Sequence, residues 1–337
     1  MNTVRWGVLG TAQIAANVFI PALRTVRGAE LSAVASRDLR RAEAFAADVL
    51  GADQGAGRAF GSYRELLDSG GVDAVYVPLP NSEHERWTLA AAERGIPVFC
   101  EKPLTDASDS AARLAARCRE LGVPLMEAFV FRYHPQTRVV GDLIADGRIG
   151  TVSQVTGHMS FFFDRVERAA DIRMDPALGG GGMLDVVCYP IAYIRHLLAA
   201  EPLTVQAAVR YDDEFGVDGA ASLLLELPDG VQAVAMGGFD DHRHRGVTIT
   251  GSAGTIHVPE PYHPPEESMI HLTCGDRREV ITLDNGRPAF APAIAHFQDR
   301  LAAPGDEPLT ADFAAGTLRV IEAAHESARS GTRIDLD

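Results

Sequence analysis

Hydrophobic and polar positions divide the chain into two textures. Up to about Phe129, short and almost wholly apolar runs alternate with segments in which apolar residues recur every three or four positions. Val4 to Gly10 reads as a buried strand entering a glycine turn, and Thr11 to Arg24 follows with Ile14, Ala15, Val18 and Leu23 at helical spacing. Leu31 to Ser36 is a second strand and Asp38 to Ala47 a second helix. Val72 to Leu79 is a third apolar run, leading into the helical stretch Ser82 to Gly95. Ile96 to Cys100, bounded by Gly95 and Pro103, is the next strand, followed by the helix Ser108 to Leu121 and the strand Val123 to Phe129. Strands buried on both faces read as unbroken apolar runs, and their alternation with helices of about 10–15 residues predicts a parallel, doubly wound sheet. The expected fold class is α/β.

After Phe129 the period changes to two. Val152 to Phe163 alternates in strand fashion, and Thr204 to Tyr211, Gly219 to Leu227, Val231 to Gly238, Arg245 to Thr250 and Thr255 to Val258 are further short strands. Turns such as Pro228-Asp229-Gly230 and Gly251-Ser252-Ala253-Gly254 separate them, so a large, mostly antiparallel open sheet with helices on one face is expected. One long helix, Gly182 to Ala199, lies among these strands, and helices near Ala293–Leu301 and Asp312–Ser330 close the chain. The expected domains are 1–128 and 129–337.

A length of 337 residues fits two domains, and 46% hydrophobic content is ordinary for a globular protein. The net charge of −15 argues against nucleic acid as a partner, since such proteins carry a basic face. Four scattered cysteines (Cys100, Cys118, Cys188, Cys274) without a Cys-x-x-Cys pair suggest reduced thiols in a cytoplasmic protein. The chain enters an apolar strand without a basic leader, and no run of about 18 apolar residues stands out, so neither export nor a membrane is expected. No His/Asp/Glu cluster has metal-ligand spacing, and no metal is expected.

The turn Gly7-Val8-Leu9-Gly10-Thr11-Ala12 joins the first strand to the first helix. It keeps two glycines of a dinucleotide-binding turn, with Ala12 near the third position, and such a turn aims backbone N–H groups at a pyrophosphate. Gly7, Gly10, Thr11, Ala12, Gln13 and Ile14 are therefore candidate cofactor contacts. At the end of the second strand an acid would bind a ribose 2′-hydroxyl and an arginine a 2′-phosphate. Ser36-Arg37 stands there, with Arg40 and Arg41 a turn later, and a hydroxyl beside a guanidinium suits a dianionic phosphate. Asp38 fits either a ribose contact or a helix start. NADP(H) is expected over NAD(H). In the loop after the third run, Leu79 would pack on the nicotinamide half, while Asn81 and His84 either contact the cofactor or serve the following helix.

Glu101-Lys102-Pro103 ends the fourth strand of this series. A lysine there is badly placed for packing and well placed for chemistry, because open α/β sheets bind ligands outside the carboxyl ends of their strands. Further on, Gly179-Gly180-Gly181-Gly182 precedes Met183-Leu184-Asp185-Val186-Val187-Cys188-Tyr189. Asp185 and Tyr189, four apart, share a face on an α-helix, the glycines permit close backbone approach to a ligand, and Pro190 should bend the helix. The alternative is a helix-terminal acid and a core aromatic.

Together these motifs resemble the glucose-fructose oxidoreductase / inositol dehydrogenase (Gfo/Idh/MocA) family over essentially the whole chain. Glu127-Ala128-Phe129-x-Phe131-Arg132-Tyr133-His134-Pro135-Gln136 and Asp171-Ile172-Arg173-x-Asp175-Pro176-x-Leu178 resemble its branch of xylose dehydrogenase, dimeric dihydrodiol dehydrogenase and sugar-nucleotide 3-ketoreductases. In that branch tyrosine, as at Tyr189, stands where much of the family has histidine. The resemblance implies an NADP-binding Rossmann domain and a substrate domain whose open sheet forms a homodimer or homotetramer. It implies hydride transfer between nicotinamide and a sugar or cyclic polyol. Tyr189 would exchange the hydroxyl proton, its phenol lowered from an ordinary pKa of about 10 by the Lys102 ammonium. Lys102 would also hold the substrate oxygen, and Asp185 would orient the substrate or Lys102. Glu101 and Lys102 would border the cofactor, and Arg132, Tyr133, His134 and Arg173 the substrate. A nucleotide-linked substrate would need cations for its diphosphate, which Arg132, Arg165, Arg168 and Arg173 could supply, or each is a surface arginine. Three functions follow: a xylose-type aldose 1-dehydrogenase, a 3-ketoreductase of nucleotide-linked keto-deoxysugars, or a non-catalytic NADP-binding regulator. Retention of Lys102, Asp185 and Tyr189 favours catalysis, because a sensor needs no acid/base pair.

Overall fold

The computed structural model describes residues 3–50, 58–164, 167, 169–302 and 311–336. They fall into two compact units: Met1–Thr105, Asp109–Ala128 and Arg287–Ala315 form one, and Asp106–Ser108, Phe129–Gly286 and Gly316–Asp337 the other.

The first unit is built on six parallel strands, β1 (Val4–Leu9), β2 (Ala29–Ala35), β3 (Ala59–Phe60), β4 (Ala74–Val77), β5 (Val98–Cys100) and β6 (Leu125–Glu127). Their order, β3-β2-β1-β4-β5-β6, reverses direction between β1 and β4. That is the dinucleotide-binding order, with its crevice at the reversal. Helices α1 (residues 13–23), α2 (Leu39–Leu50), α3 (Tyr63–Asp68), α4 (Asn81–Ala92) and α5 (Ser108–Glu120) connect the strands. The expected doubly wound sheet is what forms. β3 and α3 are additions, too short to leave a periodic signal.

An aromatic cluster fills this core. Phe19 stacks on Tyr76 with centroids 3.8 Å apart, and Trp6, wholly buried, meets Phe19 at 5.5 Å. Phe297 closes on Trp6 at 5.4 Å and on Phe99 at 5.8 Å, and Phe290 lies edge-on to Phe99 at 6.5 Å. Both Phe290 and Phe297 belong to α8 (Phe290–Ala302), so the chain returns to its first unit after completing most of the second. A single division at 128/129 does not capture this return.

The second unit carries β7 (Val152–Ser160), β8 (Thr204–Tyr211), β9 (Asp218–Glu226), β10 (Gln232–Gly238), β11 (His244–Gly251), β12 (Gly254–Val258), β13 (Glu267–Cys274), β14 (Arg277–Asp284) and β15 (Ile334–Asp335). They form one sheet in the order β14-β13-β12-β11-β7-β10-β9-β8-β15, with only the β7–β10 pair parallel. The period of two is visible in the burial: Val155, Leu223, Leu225, Val247, Ile249 and Ile256 are buried, while their neighbours Thr156, Ser222, Leu224 and His257 are exposed. The hairpin β13–β14 and the helix α6 (Pro135–Ala145) lie beyond the elements read from the sequence. Helix α7 (residues 183–198) packs on β7, and a Cβ on Gly157 would come 2.8 Å from Cβ of Pro190, so glycine there lets the helix approach the sheet. By length and composition Pro176–Leu198 is apolar enough to span a membrane, but 72% of its apolar window is buried, as in a core helix. Helix α9 (Ala311–Ser330) precedes the last strand.

Candidate active site

Parallel strands end at one edge. The registers Leu9↔Ala35 and Val77↔Cys100 therefore carry Gly10, Ser36, Leu79 and Lys102 to the same edge of the first unit's sheet. Gly10 has φ +119°, and a Cβ there would lie 3.0 Å from Leu79 Cδ2, so both backbone geometry and space demand glycine. Its N–H donates to Ala35 O at 2.8 Å. Ala12 O accepts from Ala15 and Ala16 N–H as α1 begins, with Thr11, Ala12 and Ile14 half-buried and Gln13 exposed. Gly7 sits differently. It lies buried inside β1, where a Cβ would be 2.9 Å from both Leu66 and Val72, which makes it a packing glycine rather than part of the turn.

Ser36 is 6% exposed, and its N–H donates to Phe60 O at 3.1 Å. Asp38 Oδ1 accepts from the N–H groups of Arg40 and Arg41 at 2.8 and 3.4 Å, so its carboxylate caps α2. Arg37 and Arg41 are exposed, and both act on one phenol: burial raises the Tyr63 pKa, while the charges of Arg37 and Arg41 lower it.

The Lys102 turn is braced from several sides. Tyr76 Oη donates to Glu101 Oε1 at 2.5 Å, and Glu101 Oε2 accepts from Lys102 N–H at 3.2 Å. Glu127, 1% exposed, accepts from Leu104 N–H at 2.9 Å. The wholly buried His84 has Nδ1 2.8 Å from Pro103 O and Nε2 2.8 Å from Leu79 O. Its ring thus ties the Leu79 loop to the Lys102-Pro103 turn, and of the two roles weighed for His84, cofactor contact or local structure, these two carbonyl contacts serve the second. Asn81 is half-buried and opens α4. The Lys102–Pro103 peptide is cis.

In the second unit α7 opens with a π turn, Met183–Val187, before Cys188–Leu198 continues as α-helix. A wider turn changes the angular relation between residues four apart. Asp185 Oδ2 accepts from Arg173 Nε at 2.7 Å, while Arg173 Nη1 donates to Asp171 Oδ1 at 3.1 Å. Asp185, then Asp171, raise the Arg173 pKa, and its guanidinium lies 5.7 Å from the Phe163 ring centre. Tyr189, 5% exposed, lies edge-on to Phe129 at 5.5 Å, with its hydroxyl 3.0 Å from Nε2 of His263.

The glycine run serves a buried acid that sequence reasoning missed. Asp218 Oδ2 accepts from Met183 N–H at 2.5 Å, and a Cβ on Gly181 (φ +112°) would run into Asp218 Oδ1. Burial pushes Asp218 up to about 6, against the backbone N–H groups that favour its charge. His325 Nε2 lies 3.9 Å from Asp218 Oδ1 and Tyr211 Oη 2.9 Å from His325 Nδ1.

Among the substrate-side expectations, Arg132 Nε donates to His196 Nδ1 at 3.5 Å, and its guanidinium lies 6.0 Å from the Tyr133 ring centre. His134 is 1% exposed and caps α6, its Nδ1 accepting from Gln136 N–H at 3.2 Å. Burial pushes His134 down to about 4, and burial followed by the Arg132 charge does the same to His196. Arg165 and Arg168 lie outside the described residues. His263 left no signal in the sequence either, since it stands 74 residues from Tyr189.

A family model described as an oxidoreductase family with an NAD-binding Rossmann fold (GFO_IDH_MocA) matches residues 4–129. The GFO/IDH/MocA C-terminal domain model matches residues 137–257. D-xylose 1-dehydrogenase (NADP(+)) 2 of Haloferax volcanii is 35% identical over 338 residues, covering 98% of this chain and 99% of its own length. A dTDP-3,4-didehydro-2,6-dideoxy-alpha-D-glucose 3-reductase of Saccharopolyspora spinosa is 38% identical over 270 residues, 78% of this chain and 77% of its own. A solved 3-ketoreductase from Actinomadura kijaniata, in complex with NADP and TDP-benzene, matches with a TM-score of 0.89 and 31% identity over 97% of this chain and 98% of its own.

Proposed function

Because this chain belongs to the GFO/IDH/MocA family of NAD(P)-dependent oxidoreductases, we propose that it oxidises a sugar hydroxyl with NADP, as a xylose-type aldose 1-dehydrogenase. The observation that carries the substrate class is the end-to-end likeness, 98% of this chain and 99% of the relative, to an NADP-dependent xylose dehydrogenase. Preference for NADP is supported by Ser36-Arg37 at the end of β2, with Asp38 occupied as a helix cap.

In this reading the Gly10 turn and the first turn of α1 (Thr11, Ala12, Gln13, Ile14) hold the pyrophosphate, Ser36, Arg37 and Arg41 the 2′-phosphate, and Leu79 the nicotinamide side. Bound NADP supplies the hydride acceptor. Tyr189 exchanges the proton of the substrate hydroxyl. Lys102 holds the substrate oxygen. Asp185, kept in place by Arg173, orients the substrate.

A second reading, reduction of a keto sugar carried on a nucleotide, is favoured by the likeness to the Saccharopolyspora and Actinomadura 3-reductases. It would recruit Arg132 and Arg173 toward the diphosphate. A non-catalytic regulator is not carried forward, because the full-length relatives are named oxidoreductases. Self-association as a homodimer or homotetramer is assigned to the open face of the nine-stranded sheet, where Leu224 and Val280 are 49% and 55% exposed; light scattering on the eluting peak checks it.

The test is a screen of free aldoses, cyclic polyols and nucleotide-linked keto sugars with NADP(H) and NAD(H). NADP reduction by free aldopyranoses supports the first reading. Turnover confined to nucleotide-linked keto sugars selects the second. Absence of turnover across the panel removes both.

A further inference from the structure

The Tyr189 hydroxyl has a partner of matched chemistry in His263. Their rings lie 5.0 Å apart, and Oη to Nε2 is 3.0 Å. His263 comes from the segment between β12 and β13, and its neighbour fixes it there. Tyr262 is wholly buried, lies 5.7 Å from the Tyr189 ring and edge-on to Tyr193 at 5.9 Å, and donates to Gly246 O at 3.4 Å. With Tyr262 anchored, His263 is set against the phenol. Phe129 on another side of the ring offers only a hydrocarbon edge. The pairing matters because a phenol ordinarily titrates near 10 and an imidazole near 6.5. Near neutrality an imidazole is much the better matched group to take up and return a proton.

We propose that His263 is the proton-relay partner of Tyr189, its Nε2 accepting the phenolic proton while Tyr189 Oη takes the proton of the substrate hydroxyl. The proposal rests on the dehydrogenase reading. In the oxidative direction the substrate O–H bond breaks and a new O–H forms on Tyr189. The original phenolic O–H breaks as N–H forms on His263. The C–H electron pair leaves the substrate carbon as hydride to NADP+, and the imidazolium gives its proton to water after product departure. Reduction runs the same transfers backwards. His263 acts through Tyr189 and is a positioning residue by location, so the test must separate relay from scaffold.

In this protein with NADP and a substrate from the screen, His263→Ala is expected to lower kcat about 10²- to 10⁴-fold with KM changed only a few-fold. Added imidazole should restore kcat in a saturable way. NADPH binding by fluorescence establishes that the variant is folded. Wild-type kcat overturns the relay, and so does a loss without imidazole rescue in a variant that binds NADPH. An activity-independent measurement uses ¹⁵N-histidine labelling, with the His263 resonances identified by their absence in His263→Gln. Tyr189→Phe should shift the His263 Nε2 resonance, and an unchanged resonance overturns the pairing. If the wild type turns over nothing, the dehydrogenase reading falls, and the ¹⁵N spectrum still decides whether Tyr189 and His263 are coupled.

Discussion

Removing the Lys102 ammonium or the Tyr189 hydroxyl should leave the fold and the nucleotide site in place and strike at turnover. Lys102→Ala and Tyr189→Phe are each expected to lower kcat by about 10²- to 10⁴-fold, with NADPH affinity within a few-fold of wild type; stopped-flow turnover beside fluorescence titration reads both. Arg37 is exposed, so Arg37→Ala should cost one charge-assisted contact, about 1.5–3 kcal/mol, and raise the KM for NADP at least tenfold without changing that for NAD. An equal effect on both cofactors would count against the 2′-phosphate role. At this scale the sequence was informative about residues whose chemistry is local. Lys102 stands out because an apolar strand ends on it, and Ser36-Arg37 because of a position in a βα unit. His263 and Asp218 do not stand out, because each gains its meaning from a contact across the fold, with Tyr189 and with Met183.

Helix ends and turns hold the surprises among the elements. The parallel half was legible because its strands are buried on both faces, whereas β14 carries no buried residue and sits at a sheet edge, so Arg277–Asp284 shows little apolar pattern. The π turns Ala15–Phe19 and Met183–Val187 are likewise invisible in spacing that fits an α-helix. Asp218 at the mouth of α7 gives a signed prediction. Its folded pKa, pushed up to about 6, lies above the ordinary carboxylate value. The stability it contributes is therefore full below about pH 4 and lost as pH rises through 6. Urea unfolding should show wild type gaining on Asp218→Asn, by roughly 3 kcal/mol, between pH 7 and pH 4. A pH-independent difference would contradict the buried-acid assignment.

Across the whole molecule, acid acts with the opposite sign. His134 and His196 are held neutral in the fold, each pushed down to about 4, so their contribution is full above about pH 6.5 and lost as pH falls toward 4. Each shift is worth about 3 kcal/mol, enough together to outweigh the gain at Asp218. Urea midpoints should therefore fall from pH 7 to pH 4.5, and His134→Asn, which keeps a capping oxygen for α6, should flatten that fall. Phe297→Ala should cost about 3–5 kcal/mol, since its ring closes on Trp6 and Phe99.

The return of α8 to the first unit also sets a clock on biosynthesis. Trp6 and Phe99 leave the ribosome early, but the rings that cover them lie beyond residue 289. At about 5–20 residues per second, the interval from residue 128 to Phe297 lasts roughly ten to thirty seconds. Throughout that interval the nascent nucleotide-binding unit presents an uncovered aromatic surface, a natural target for a chaperone that binds chains still being made.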